Sequence, residues 1–160
     1  MCKLTFKFFI LLLLVSSSLF SREIDLDAIA KQSLKTHKHL FIFLHKTGCP
    51  YCENMREFTL DDTTIDTFIK KHFIYIDINV SEKDSVTFRG VTGSGEDFAK
   101  YIGYNFYPSS LFFNGKLQLV YAIPGYQEEE NFISMLNYVY SKAYEHEEYA
   151  QYYKTHKFKI

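Results

Sequence analysis

The chain contains no tryptophan, only three prolines and only three cysteines among its 160 residues. Few prolines, with 47% hydrophobic and 23% charged residues, exclude a largely disordered or low-complexity protein. Three cysteines are too few for a domain held together by a disulfide framework, and a chain of this length can bury a hydrophobic core without one. The length predicts a single folded domain.

A large excess of charge of one sign is also missing. The chain has 18 basic and 19 acidic residues, which gives a formal net charge of −1. Nucleic-acid binding requires a strongly basic surface, so we predict no nucleic-acid partner. Aromatic residues other than tryptophan are abundant, with 13 tyrosines and 16 phenylalanines, and they favour a core that contains β-strands.

The N-terminus has a distinct composition. An unbroken apolar run at residues 8–15 follows Lys3 and Lys7, and small residues at 16–21 come after it. This order is typical of a secretory signal peptide, and we predict cleavage after Ser21. The apolar run is shorter than the roughly 20 residues that a permanent membrane-spanning helix needs, although an uncleaved N-terminal anchor is the alternative. We therefore expect an exported protein.

The remaining pattern alternates between helix and strand. Helical spacing covers residues 24–34, 61–71, 95–102 and 128–144, a further helix begins at 49–50, and strands are predicted at 40–44, 73–80, 110–113 and 117–121. Asn114-Gly115 predicts a hairpin turn, and the polar segment 81–94 is predicted to be a loop. We divide the chain into a signal peptide at 1–21, one domain at 22–144 and a C-terminal extension at 145–160. Strand–helix–strand followed by a hairpin and a closing helix predicts a mixed sheet with helices on both faces.

Cys49 and Cys52 are the two cysteines that remain once a signal peptide carrying Cys2 is removed. Disulfide exchange requires an attacking thiolate and a second thiol that resolves the mixed disulfide. Pro50 is typical of a first helical residue, so Cys49 is expected to cap the helix, where free backbone N–H groups and the helix dipole favour the thiolate. Cys52, in the first turn, is expected to be more buried and to be the resolving thiol.

A structural disulfide and a zinc site are the alternatives for this pair. A disulfide that closes so short a loop constrains the unfolded chain little, so it would add little stability. A zinc site normally takes four ligands, and apart from the two cysteines only His45 lies close in the sequence. We therefore predict exchange chemistry, with no metal and no other cofactor.

Around Cys49-Pro50-Tyr51-Cys52 the chain resembles the thioredoxin superfamily, and the resemblance extends over most of residues 38–142. The other matching features are the flanking strands and Tyr107-Pro108. The resemblance implies an α/β thioredoxin fold, with three α/β/α layers and a central mixed sheet of four to five strands. It also implies that Pro108 is cis and lies against the cysteines, and that Tyr107 offers its backbone to a substrate chain as an added strand.

More narrowly, Met55, residues 95–99 and Pro124-Gly125-Tyr126 resemble the exported SoxW-type thioredoxins of bacteria. This resemblance implies a periplasmic thiol–disulfide oxidoreductase, a monomer that acts as a reductase on client proteins and receives electrons from a membrane donor. A copper carrier or thiol chaperone on the same fold is one alternative. A DsbA-like oxidase is another, disfavoured because the segment between Cys52 and Pro108 is too short for an additional helical domain.

The chain departs from the family at several positions. Thioredoxins carry an acid six residues before the first cysteine, where it helps proton transfer to the resolving thiol, but Phe43 stands at that place here. The sequence offers no convincing replacement for it. His45 is a candidate titrating neighbour, with a histidine of no catalytic role as the alternative, and Lys46 is a candidate cation for the thiolate. Pro50-Tyr51 is the pair common in glutaredoxins, which makes glutathione a possible partner.

Overall fold

The structure is a computed structural model that describes residues 21–156. The predicted signal peptide therefore lies, apart from Ser21, outside the described residues. In chain order the elements are β1 (Glu23–Asp25), α1 (Leu26–Thr36), β2 (His39–His45), α2 (Pro50–Asn54), a π-helical turn (Met55–Leu60), α3 (Thr63–His72), β3 (Phe73–Asn79), β4 (Ser85–Phe88), β5 (Val91–Ser94), α4 (Gly95–Ile102), β6 (Ser109–Phe113), β7 (Leu119–Pro124), α5 (Glu129–Tyr140), a 3-10 turn (Ala143–Glu145) and α6 (Tyr149–His156). Within residues 21–156, no helix is long and apolar enough to cross a bilayer.

The central sheet has four strands in the order β3-β2-β6-β7. β2 is parallel to β3 and antiparallel to β6, so the sheet is mixed, as predicted. Successive side chains of a strand point to opposite faces. Leu40 and Ile42 accordingly join one apolar core, while Phe41 and Phe43 join a second core on the other face. The continuous apolar run at residues 40–44 of β2 is explained by burial on both sides.

Helices cover both faces of this sheet. On one face, Leu26 of α1 and Phe98 of α4 belong to the core that contains Leu40. On the other face, Ile65 of α3 and Phe132 of α5 belong to the second core. The three layers and the mixed four-stranded sheet confirm the predicted thioredoxin fold.

The prediction of a loop at 81–94 is wrong, because this segment forms the β4–β5 hairpin. Its turn places Arg89 and Gly90 at φ of 52° and 76°, the backbone that tight hairpin turns require. The carboxylate of Asp27 in α1 accepts the backbone N–H groups of both turn residues at 2.7 Å. Thr87 and Thr92 hydrogen-bond across the hairpin at 2.7 Å. A polar, glycine-containing segment thus becomes a hairpin through a contact from a distant helix.

β4 also pairs with β1, giving a second sheet in the order β1-β4-β5. The helix predicted from residue 24 therefore begins two residues later. Ile24 pairs with Val86 as part of β1, and the Asp25 side chain caps α1 by accepting the N–H of Ala28 at 2.9 Å.

The predicted hairpin at Asn114-Gly115 is present, but its glycine acts differently from the expectation. Leu117, not Gly115, takes the left-handed backbone, at φ 54°. Gly115 instead lies against α1, where an added Cβ would come within 2.7 Å of the Leu34 side chain. Close packing therefore favours glycine at this position.

The last predicted helix is shorter than expected. α5 ends at Tyr140 instead of residue 144, and Lys142 just beyond it has a left-handed φ of 58°. The following segment turns back as α6, whose Tyr152 is buried against the Tyr138 ring, with the ring centres 5.2 Å apart. The Tyr138 hydroxyl also donates to the Glu147 carbonyl at 2.6 Å. Most of the predicted extension at 145–160 is therefore packed on α5.

Candidate active site

The two cysteines lie at the start of α2, just beyond the end of β2. Gly48 turns the chain with a φ of 68°, and Cys49 is the extended N-cap residue in front of Pro50. The Cys52 backbone N–H donates to the Cys49 sulfur, with an N–S distance of 3.2 Å. An N–H donor and the positive end of the helix therefore both face this sulfur, as predicted, and both stabilise negative charge on it.

Cys49 and Cys52 form a disulfide with their Cα atoms 5.2 Å apart. Cys52 is only 3% exposed, whereas Cys49 is partly exposed. The two cysteines thus differ in access, because Cys49 is partly open to solvent whereas Cys52 is enclosed by the protein.

The Tyr107–Pro108 segment lies against the pair. Its peptide bond is cis, as the family resemblance implies, and the Cys49 sulfur lies 3.7 Å from the Tyr107 carbonyl oxygen. The Pro108 carbonyl accepts the Gly125 N–H at 2.7 Å, which ties this segment to the end of β7. Tyr51 is 66% exposed beside the cysteines, and Phe106, next to Tyr107, is 69% exposed.

The helix that carries the cysteines continues into a π-helical turn, which two hydrogen bonds to Gln127 hold in place. Met55 is fully buried, and its sulfur accepts the Gln127 N–H at 3.4 Å. Thr59 donates through its hydroxyl to the Gln127 carbonyl at 2.7 Å. Both contacts hold the helix against the loop that follows β7, and π-helical turns are frequent at functional sites.

A polar cluster lies on the sheet face that carries the second core, at the end of β2 nearest the cysteines. Asp77 of β3 is bonded through one carboxylate oxygen to His45 Nε2 at 2.8 Å and through the other to an Arg56 Nη at 2.9 Å. The same Arg56 nitrogen lies 3.1 Å from His45 Nε2. Tyr75 donates its hydroxyl to Asp77 at 3.4 Å. We call His45, Arg56, Tyr75 and Asp77 the β3 cluster.

The β3 cluster surrounds the position where the family acid is missing. Phe43 is the register partner of Asp77, so the carboxylate stands one strand away from Phe43 at the same level. The Phe43 ring stacks on His45 at 4.9 Å and lies beneath the Arg56 guanidinium at 5.4 Å. Asp77 and Arg56 were not predictable from the sequence, because strand register and helix placement are long-range and leave no local pattern.

Asp77 is held in its charged form. Partial burial alone would raise its pKa, but the hydrogen bonds and positive charge of His45 and Arg56 outweigh burial and hold the pKa of Asp77 below its usual value. Burial, followed by the charge of Asp77, raises the pKa of Tyr75 far above its usual value. At neutral pH, Tyr75 therefore acts as a donor and Asp77 as an acceptor.

Asp77→Asn tests the energetics of the cluster. Because folding lowers the pKa of Asp77, the stabilisation is complete above the usual carboxyl range and is lost as pH falls through the folded-state pKa. We expect Asp77→Asn to cost about 1 kcal/mol of unfolding free energy at pH 7 and progressively less below about pH 4. Urea unfolding of both proteins from pH 7 to pH 2 measures this difference. Parallel curves for the two proteins would contradict the assignment.

Lys46 and His45, the two predicted neighbours of the cysteine pair, differ in their surroundings. Lys46 is exposed and makes no hydrogen bond or ion pair within residues 21–156, so no contact links it to the Cys49 sulfur. His45 is largely buried, with a side chain that is only 12% exposed. Across the described part of the chain, no group of three or more His, Cys, Asp or Glu side chains is placed to hold a metal ion.

The chain is similar to known thioredoxin-fold proteins in sequence and in structure. A model of the thioredoxin-like domain matches residues 26–140. A thioredoxin-fold protein from Helicobacter pylori is 19% identical, with a TM-score of 0.64 over 76% of this chain and 83% of its own. A thioredoxin from Thermus thermophilus is 19% identical, with a TM-score of 0.57 over 74% of this chain and 86% of its own. The oxidised C-terminal domain of DsbD from Neisseria meningitidis is 17% identical, with a TM-score of 0.53 over 73% of this chain and 97% of its own.

No curated protein matches the sequence significantly. At such low identities, the likeness to solved structures shows a shared fold alone. The domain match is of a different kind, because it extends from α1 to the end of α5 and includes both cysteines and the cis proline. The chain therefore belongs to the thioredoxin-like domain family.

Proposed function

We propose that this protein is a periplasmic thiol–disulfide oxidoreductase that reduces disulfides in other proteins. One observation carries the proposal: an accessible Cys49 sulfur, capped by a helix N–H, is paired with a buried Cys52 and lies 3.7 Å from the backbone of Tyr107. A disulfide with a purely structural role needs neither the exposed first sulfur nor a peptide segment placed against it.

The reaction consists of two exchanges. In the reduced protein, the Cys49 thiolate attacks one sulfur of a client disulfide, the client S–S bond breaks, and one client thiolate leaves. Cys52 then loses its proton and attacks the Cys49 sulfur, which re-forms the bond between Cys49 and Cys52 and releases the second client thiolate. The client gains two electrons, and the protein loses two.

The surroundings of Cys49 suit an extended polypeptide client. The Tyr107 carbonyl next to the sulfur is positioned to pair with a client backbone in the manner of an added strand. The exposed rings of Tyr51 and Phe106 flank this position and offer apolar contacts that are tolerant of sequence. Such a site favours an unfolded or flexible segment around the client cysteine.

Reduction in the periplasm requires a continuing supply of electrons, so we propose that a membrane donor keeps the cysteine pair reduced. We also propose that the protein acts on its clients as a monomer. The likeness to SoxW-type thioredoxins and the signal-like N-terminal sequence support this location and direction. The glutaredoxin-like Pro50-Tyr51 pair makes glutathione a second candidate partner.

The alternatives gain no support from the site. Met55, which a copper carrier would use as a third soft ligand, is fully buried and its sulfur is occupied by the Gln127 N–H. Between Cys52 and Pro108 the chain contains α3, β3, the β4–β5 hairpin and α4, with no inserted helical domain of the DsbA kind.

The test uses the protein purified from the periplasm of cells that express the full chain. We expect catalytic reduction of insulin, a reduction potential nearer to the ~−270 mV of thioredoxin than to the ~−120 mV of DsbA, and reduced cysteines when thiols are trapped in whole cells. A fully oxidised pair in cells, with no insulin reduction, would overturn the assignment as a reductase. Absence of any exchange with glutathione or insulin would overturn the proposed function itself.

A further inference from the structure

The resolving step creates a proton-transfer problem, if the protein carries out the exchange proposed above. Cys52 attacks as a thiolate, but its side chain is 3% exposed, and burial disfavours the charged form of a thiol. Its proton must therefore pass to a nearby group before or during the attack. A group in hydrogen-bond reach, or one water away, accelerates such a transfer.

Arg56 of the β3 cluster lies on the helix face that carries Cys52. Met55 and Arg56 follow Cys52 by three and four residues, so their side chains share one side of the helix. Met55 packs in the core that contains Phe43, and Arg56 lies over the Phe43 ring. His45 also stacks on that ring, with its Nε2 atom 3.1 Å from the Arg56 guanidinium, so the cluster lies beside the helix that carries Cys52.

The position of His45 Nε2 is unusual, because this one atom has both a donor and an acceptor within hydrogen-bond distance. Without a proton it accepts from the Arg56 guanidinium at 3.1 Å. With a proton it donates to the Asp77 carboxylate at 2.8 Å. Both protonation states of the ring therefore have a partner in place, and a change between them needs no rearrangement of neighbouring side chains.

We propose that His45 accepts the Cys52 proton in the resolving step, with Asp77 and Arg56 as its positioning residues. The proton leaves the Cys52 sulfur, passes to the ring through bridging water, and produces an imidazolium whose Nε2–H donates to Asp77. The electron pair left on Cys52 forms the new bond to Cys49, and the client thiolate leaves. The carboxylate stabilises the imidazolium, while Arg56 orients the neutral ring.

Other charged groups near His45 do not duplicate this arrangement. From β3, Tyr75 and Asp77 face the ring, and the pKa of Tyr75 is raised far above neutrality. From the helix, Arg56 faces it, whereas Glu53 and Glu57 are exposed. Lys46, next to His45 in the chain, is also exposed. Among the described residues, His45 is the group on this side that is arranged to take up a proton and release it again.

The test separates the two exchanges with dithiobis(nitrobenzoate), a coloured aromatic disulfide. The reduced full protein releases a first coloured thiolate when Cys49 attacks, and a second when Cys52 displaces it from Cys49. The first rate depends on reagent concentration and the second does not. We expect His45→Gln to slow the second phase by about 100-fold at pH 7 and to change the first by less than about twofold. Asp77→Asn slows the second phase less, because the His45 imidazole is still present as a base but the carboxylate that stabilises its protonated form is lost.

The pH profile excludes a merely structural effect. In His45→Gln the second phase is left to hydroxide, so its rate rises about tenfold per pH unit, whereas the wild-type rate levels off. His146→Gln, at an exposed histidine on the C-terminal segment, serves as the matched control and leaves both phases unchanged. An unaltered first phase in each variant shows that the helix cap is intact.

A second phase with wild-type rate and pH profile in both His45→Gln and Asp77→Asn would overturn this inference and leave the proposed function standing. A wild-type protein that shows no first phase would instead overturn the proposed function. The two failures are therefore distinguishable in one experiment.

Discussion

Cys49→Ser is expected to abolish disulfide reduction, with a fall in the insulin-reduction rate of about a thousandfold or more. The Cys49 sulfur is the partly exposed member of the pair and receives the Cys52 N–H that stabilises a thiolate. A serine hydroxyl is not ionised at neutral pH, and within residues 21–156 no basic side chain hydrogen-bonds at the Cys49 sulfur position, so the first exchange cannot begin. Insulin turbidity measures the rate directly.

Cys52→Ser is the matched variant, because it removes the other sulfur of the same pair. We expect it to attack clients normally and then to accumulate as a mixed disulfide, since the resolving thiol is missing. Non-reducing electrophoresis and intact-mass spectrometry detect this product. Exchange that survives in Cys49→Ser, or a mixed disulfide that forms on that variant instead, would show that the roles of the two cysteines are reversed.

Phe112→Ala is expected to lower the free energy of unfolding by about 3–5 kcal/mol. Phe112 of β6 is fully buried and stacks on Phe41 with the ring centres 5.0 Å apart, and it meets Phe73 at 5.7 Å. Loss of the ring leaves a cavity in the second core, between the central sheet and the helices that cover it. Urea unfolding of the oxidised protein, followed by far-ultraviolet circular dichroism, measures the loss.

Phe106→Ala removes the same atoms from a side chain that is 69% exposed, so its cost is expected to be less than about 0.5 kcal/mol. Equal losses in the two variants would show that burial in the central sheet does not set the effect. Neither substitution changes the net charge of the protein.

The fold was largely predictable because its central elements have strong local patterns. The apolar β2 strand is buried on both faces, and the Cys49-Pro50 sequence begins a helix, as each pattern indicates. The β4–β5 hairpin was missed because its strands are four residues long and its turn is fixed by Asp27 from a helix far away in the sequence. No window around residues 81–94 contains that contact.

The geometry of the candidate site was predictable only in part. Two cysteines in a four-residue motif that contains Pro50 indicate disulfide exchange, and the family resemblance added Pro108 to the predicted site. Asp77 could not be identified in this way, because its importance depends on being the register partner of Phe43. Register is a property of two strands and of the helix between them, so the sequence of either strand alone is insufficient.

The packing of α6 on α5 determines what intrinsic fluorescence can report. With no tryptophan, emission comes from tyrosine, and Tyr138 lies within 5.2–5.4 Å of the rings of Tyr121, Tyr149 and Tyr152. Burial raises the pKa of Tyr149 to about 12, so this ring stays in its emitting phenol form well above neutral pH. Part of the optical signal therefore follows the docking of the C-terminal helix. A tryptophan introduced near the cysteines would provide a separate probe of their oxidation state.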